Sequence, residues 1–244
     1  MEVHAHSHTE SPPAGRAGKK WTHYLWEFLM LFLAVFAGFL AENQREHMVE
    51  HQREKAYIRS LIRDVGNDTL NITRDVLQYQ ELKRCGDSVL AHFSEAKSFS
   101  SSWSNNYFKL LEGYPDFIYT DQTMQQLKNA GGLRLIRSTS AVDSIIDYDA
   151  TVRDLELEET SINQFYNQLH AFTNNSLNYR RVVEKTGSTS TNAWIVGDEA
   201  NMQRLFNLIY KYHENIMAFT FYLQSTKRTA TKLILFLKKE YHIK

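Results

Sequence analysis

The chain has 244 residues, 43% of them hydrophobic and 23% charged, with 28 basic and 28 acidic side chains that cancel. A neutral chain has no global field to gather nucleic acid, so nucleic acid is not an expected partner. The lone cysteine, Cys85, excludes an intramolecular disulfide and a cysteine-built zinc cage, and with prolines only at Pro12, Pro13 and Pro115 the chain is free to be helical.

Residues 1–20, MEVHAHSHTESPPAGRAGKK, read as a disordered His-rich tail. His4, His6 and His8 alternate, and imidazoles so spaced can share Cu(II), Ni(II) or Zn(II). A short tail without supporting groups holds such an ion weakly, so the site is speculative and no cofactor is assigned.

Residues 21–41 form the next segment, an apolar run of about 21 residues that would be about 31 Å long as a helix, close to the hydrocarbon thickness of a bilayer. It reads as a single transmembrane helix, an uncleaved signal anchor. Trp21, Tyr24 and Trp26 crowd its first turns, with Arg16, Lys19 and Lys20 just before, so the N-terminus is expected in the cytoplasm. Arg45, Arg53, Lys55 and Arg59 beyond the other end weaken that charge bias. A cleaved signal peptide, with Val35 and Ala37 before the cut, is the rival reading.

Glu27 is the one acidic side chain in the run. It either reaches the headgroups or pairs with another membrane subunit, and is the candidate partner contact. Ala34, Ala37, Gly38 and Ala41 form a small-residue face on which helices can approach closely.

From Glu42 to about Lys97 no proline occurs, and Ile58, Leu61, Ile62, Val65, Ile72, Val76 and Tyr79 recur at helical steps. The charged opening ENQREHMVEHQREK reads as a solvated stalk continuing the membrane helix. His47 and His51 stand four apart there, without a third ligand for a metal. A polar break is expected at SFSSSWSNN. A short helix then begins near Thr120 or Asp121 and is stopped by Gly131 and Gly132.

The next helix is expected after Ser140, breaking near Asn174 and Asn175 or running to about Lys185. TGSTSTN is a loop. Asp198 caps a last helix, whose ILFL stretch is too short to cross a membrane. The fold class is therefore all-α: a transmembrane helix continuing into a stalk, then residues 42–244 as a stalk and an antiparallel bundle of four or five helices.

No nucleophile elbow, phosphate loop, zinc-protease helix or dinucleotide fingerprint is present. The acids Asp143, Asp147, Asp149, Asp154, Glu156, Glu158 and Glu159 are dense, but lack the histidines a di-iron bundle needs. They read as a solvated helix face.

The passages LAVFAGFLAENQREHMVEHQREKAYIRSLIRDVGNDT and DQTMQQLKNAGGLRLIRSTSAVDSIIDYDA resemble an uncharacterised single-pass membrane protein family of Bacteroidetes bacteria. The resemblance lies in Arg53, Glu54, Lys55, Tyr57, Ile58, Ser60 and Leu61, then in Leu127, Gly131 or Gly132, Leu133, Leu135, Ile136 and Tyr148. It implies a cytoplasmic N-terminus, a membrane anchor and a helical exterior domain, and carries no reaction, ligand or catalytic residue. The expected function is a non-enzymatic, inner-membrane-anchored protein whose periplasmic bundle binds a protein partner or a second copy. The alternative is a small-ligand sensor that signals through the span to a separate cytoplasmic protein.

Overall fold

A computed structural model describes residues 17–129, 131–183 and 193–243. Within them lie six α-helices: α1 (Ala17–Ala91), α2 (Ser101–Leu111), α3 (Gln122–Asn129), α4 (Thr139–Ser176), α5 (Tyr179–Val183) and α6 (Glu199–Glu240). Two 3₁₀ turns, Phe93–Ala96 and Gly132–Leu135, and one isolated antiparallel bridge between Leu177 and Trp194 complete the described structure. The chain is all-helical as expected. It divides into a first unit that ends at Arg53 and a second that begins at Glu54.

In the first unit α1 has no cover. Every side chain from Trp21 to Met48 is exposed. Phe28, Phe32 and Phe36, four residues apart, stack their rings along one side at 6.4 and 5.9 Å.

In the second unit α1 buries Glu54, Ile58, Leu61, Val65, Asp68, Ile72, Asp75, Tyr79 and Leu82, alternating steps of four and three. Such spacing keeps one face towards neighbouring helices. Contacts along the chain set the directions. Tyr79 meets Phe219 at 5.0 Å, Phe93 meets Phe206 at 5.1 Å and Glu54 meets Tyr241 at 2.8 Å, so α6 runs antiparallel to α1. Tyr166 meets Tyr212 at 5.9 Å and Arg204 lies over Phe172 at 5.6 Å, so α6 also runs antiparallel to α4.

The fourth leg is broken. It descends along α1 as α2, an extended stretch, α3 and the second 3₁₀ turn, meeting α1 in succession at Val89, Tyr79, Asp68, Asp64 and Glu54. Gly113, at φ 110°, ends α2 in a conformation that strains other residues, and Pro115 two residues on prevents helix from resuming. Gly131, at φ 66°, ends α3 where the glycine pair predicts it.

Boundaries differ from expectation in three places. The predicted break at SFSSSWSNN is mostly α2: the Ser100 side chain accepts from the Trp103 N–H, and Trp103, Tyr107, Leu110 and Leu111 form its buried stripe. Helix α4 begins earlier because Ser138, not Ser140, is its cap, accepting from the Ala141 N–H. It stops at Ser176, where the Asn178 N–H turns to Ala193 O and the Ile195 N–H to Ser176 O. The Asp198 cap is as expected, with the Asn201 N–H at 2.9 Å. TGSTSTN lies outside the described residues.

Candidate functional site

Two places carry the residues a function could use: the uncovered apolar run of α1, and the carboxylates inside the bundle.

Helix α1 holds an 18-residue window of mean hydropathy 2.0 with none of it buried, and is the one helix among the described residues long and apolar enough to cross a membrane. Glu27 is paired with His23 one turn earlier, with Nε2 and Oε1 3.2 Å apart. The structure thus gives Glu27 a neighbour on its own helix that the sequence reading did not consider. Ala34, Ala37, Gly38 and Ala41 share a face, and a Cβ added at Gly38 would meet nothing within 4 Å. His47 reaches towards Glu50 at 3.9 Å. No group of three metal-ligating side chains occurs among the described residues, and His4, His6 and His8 lie outside them.

The carboxylates of the second unit have structural acceptor roles. An extended stretch buried against helices lacks the hydrogen bonds a helix makes for itself, so its N–H groups need outside acceptors. The Phe117 N–H donates to Glu159 Oε1 at 2.7 Å, the Thr120 N–H to Asp68 Oδ1 at 2.8 Å and the Thr123 N–H to Asp64 Oδ2 at 3.1 Å. The Arg137 N–H donates to Glu54 Oε1 at 2.8 Å, where the Tyr241 hydroxyl also donates. The Tyr148 hydroxyl donates to Asp68 Oδ2 at 2.6 Å. Carbonyls of the same leg are met too: Tyr79 donates to Pro115 O at 3.2 Å and Tyr166 to Leu111 O at 3.1 Å.

Two members of the acidic run on α4 depart from the solvated face expected of them. Asp149 is buried, bridging Lys128 at 2.9 Å and Arg153 at 2.6 Å, and Glu159 turns inward to hold Phe117. Asp143, Asp147, Asp154 and Glu156 are exposed as expected. Sequence reasoning missed Glu54, Asp64, Asp68 and Asp75. The signal was there for three of them, because Glu54, Asp68 and Asp75 interrupt an apolar series at spacings of fourteen and seven residues, on one face of the helix.

Asp75 is the exception among the inward acids. It is fully buried, Oδ1 takes Arg74 at 3.2 Å, and Oδ2 has no partner. Burial pushes the carboxyls of Asp68, Asp75 and Glu159 above their usual range.

An open cleft of about 430 Å³ lies between α1 and the broken leg, with Glu81, Lys109, Glu112 and Tyr114 on its walls and Leu82 and Cys85 below. Cys85 is buried, and burial raises its thiol pKa, which disfavours the reactive thiolate.

These features define an all-helical protein with one helix fit to cross a bilayer. No protein-family model matches the chain, and neither the curated proteins nor the solved structures include a match to it.

Proposed function

We propose that the chain is a single-pass protein of a bacterial inner membrane, its N-terminus cytoplasmic and residues 42–244 periplasmic, a non-enzymatic anchor presenting its bundle to a partner protein or a second copy in a scaffold or assembly role. The observation that carries this reading is the uncovered run from Trp21 to Ala41, whose large apolar side chains are 39% to 78% exposed. None of the described residues buries it, and a bilayer would. Arg16, Lys19 and Lys20 beside the aromatic cluster favour a cytoplasmic N-terminus. The interaction role is favoured by the bundle interior, where Glu54, Asp64, Asp68 and Glu159 are engaged with backbone groups of the chain itself.

The test is affinity capture of the full-length protein from native membranes in mild detergent, beside a version whose span is replaced by an unrelated apolar helix. A protein captured only with the native span supports an assembly role and makes Glu27 the first contact to mutate. A strict monomer with nothing captured overturns it. The sensor reading rests on the cleft beside Tyr114. It predicts that a small molecule soaked from periplasmic extract raises the melting temperature of the full-length protein, and that Tyr114→Ala abolishes the rise.

A further inference from the structure

We propose that the bundle docks a second copy of this chain side by side, the basic outer face of α6 in one copy against the acidic outer face of α4 in the next. This names the partner within the membrane-anchored reading above and rests on it. Residues 215–239 of α6 hold five basic side chains and no acid, whereas residues 143–159 of α4 hold seven acids and one base.

Away from the core, α6 presents Phe221, Arg228, Lys232, Leu235 and Lys239, all exposed and spaced seven, four, three and four residues apart. Such spacing makes one stripe. Helix α4 presents Asp143, Asp147, Asp154 and Leu157, exposed and spaced four, seven and three apart. Phe221 is 61% and Leu157 70% exposed, so each stripe carries a large apolar side chain that its own bundle leaves uncovered. Among the described residues, Arg228, Lys232, Asp147 and Asp154 take part in no ion pair. One chain cannot bring the two stripes together, because both point away from the same core.

Contacts along α4 and α6 set which residues stand level. Arg204 lies over Phe172, Tyr212 meets Tyr166 and Tyr241 meets the Ser138 backbone, so one register holds along both helices. By that register Phe221 stands level with Leu157, Arg228 lies between Asp147 and Asp154, and Lys232 lies beside Asp147. Copies anchored in one membrane by the same segment point the same way, so α6 of one is antiparallel to α4 of the next and the register is kept. The dock then sets apolar on apolar and each cation near an acid. Pairing α6 with α6 in that orientation would instead set Arg228 against Arg228 and Lys232 against Lys232. The contact is therefore head-to-tail and repeats from copy to copy. A helix face roughly 27 Å by 11 Å gives about 300 Å² a side, against about 800 Å² in a standard interface. Confinement in one membrane raises the effective concentration that so small a contact needs.

The experiment is disulfide cross-linking in native membranes between two differently tagged full-length copies, one Phe221→Cys and the other Leu157→Cys. Cys85 is buried, and copies without the new substitutions give its background. A bridge between the two copies is expected. Arg228→Glu with Lys232→Glu in the first copy is expected to lower its yield about tenfold, and Asp147→Lys with Asp154→Lys in the second to restore it. The dock is overturned by no bridge, by an equal bridge when exposed Leu77→Cys replaces Leu157→Cys, or by a stronger bridge between two Phe221→Cys copies. If the tagged copies still co-purify without the bridge, the interaction role stands on another face. If nothing is captured with either copy, that role falls as well.

Discussion

The same helix has two lives. From Trp21 to Met48 the side chains of α1 are exposed without exception, whereas from Glu54 to Val89 it places a buried residue at every third or fourth position. Its outer part is the more apolar of the two and the less covered. Its inner part carries Glu54, Asp68 and Asp75 on the buried face. Hydrophobicity alone therefore does not decide what this protein buries: a bilayer suits the uniform run, and a bundle with an irregular leg needs carboxylates inside.

The widest break in the comparison comes from charging the apolar run. Leu33→Arg with Val35→Arg costs about 5 to 7 kcal/mol of membrane insertion, at about 2.5 to 3.5 kcal/mol for each arginine near the centre of a span. The variant is expected to leave the alkali-resistant membrane fraction, while the bundle's cooperative unfolding in detergent keeps its midpoint. Retention in the membrane would place the anchor elsewhere.

A smaller effect tests the inner acids. Asp68→Ala leaves the Thr120 N–H and the Tyr148 hydroxyl buried without acceptors, at about 1 to 3 kcal/mol each before compensation. A loss of about 2 to 4 kcal/mol in chemical denaturation is expected. Asp154→Ala, on the exposed side of α4, is expected to stay within about 0.5 kcal/mol. Equal losses would mean that Asp68 does not hold the broken leg.

How much of this was legible follows from which partner each residue has. Gly131, Asp198 and the apolar steps of α4 and α6 act through their own neighbours in sequence, so their roles could be read directly. The stripe Trp103, Tyr107, Leu110 and Leu111 was also written in the sequence, but the serines and asparagines between them look like a loop until Ser100 is seen to cap them. The inner acids were least legible. Their partners are N–H groups 42 to 83 residues away, which every non-proline residue carries and no composition marks. Glu27 was singled out for its place in the apolar run, while its His23 neighbour, one turn away, was there to be read and was not.

Asp75 sharpens the contrast among the acids, since among the described residues it is the acid with a buried oxygen left over. Its pKa is raised by burial, so the folded state holds its proton more tightly than the unfolded chain does. The sign follows: its contribution is most favourable below the ordinary carboxylate range and is lost as pH rises through the raised value. Asp75→Asn removes that titration. At neutral pH the variant is expected to be about 1 to 2 kcal/mol more stable than the wild type, because burial costs the Asp75 charge more than the half-exposed Arg74 beside it returns. The difference closes on acidification, and a constant difference across pH would show that the charge of Asp75 is already compensated.

The smallest effect concerns how α6 begins. Its first N–H groups have no partners within the helix, and the Asp198 carboxylate takes the Asn201 N–H at 2.9 Å and the Asn201 side chain at 3.0 Å. These contacts hold the carboxyl below its usual range. Because the cap is exposed, Asp198→Ala is expected to cost about 1 kcal/mol and Asp198→Ser much less, since a hydroxyl serves the same N–H. A depressed pKa confers stability above the ordinary carboxylate range that is lost as pH falls through the folded value, the reverse of Asp75. Melting curves of Asp198→Ala and Asp75→Asn should therefore approach the wild type together in acid, the first from below and the second from above. The Asp198 effect should persist to lower pH, because its carboxylate stays ionised longer.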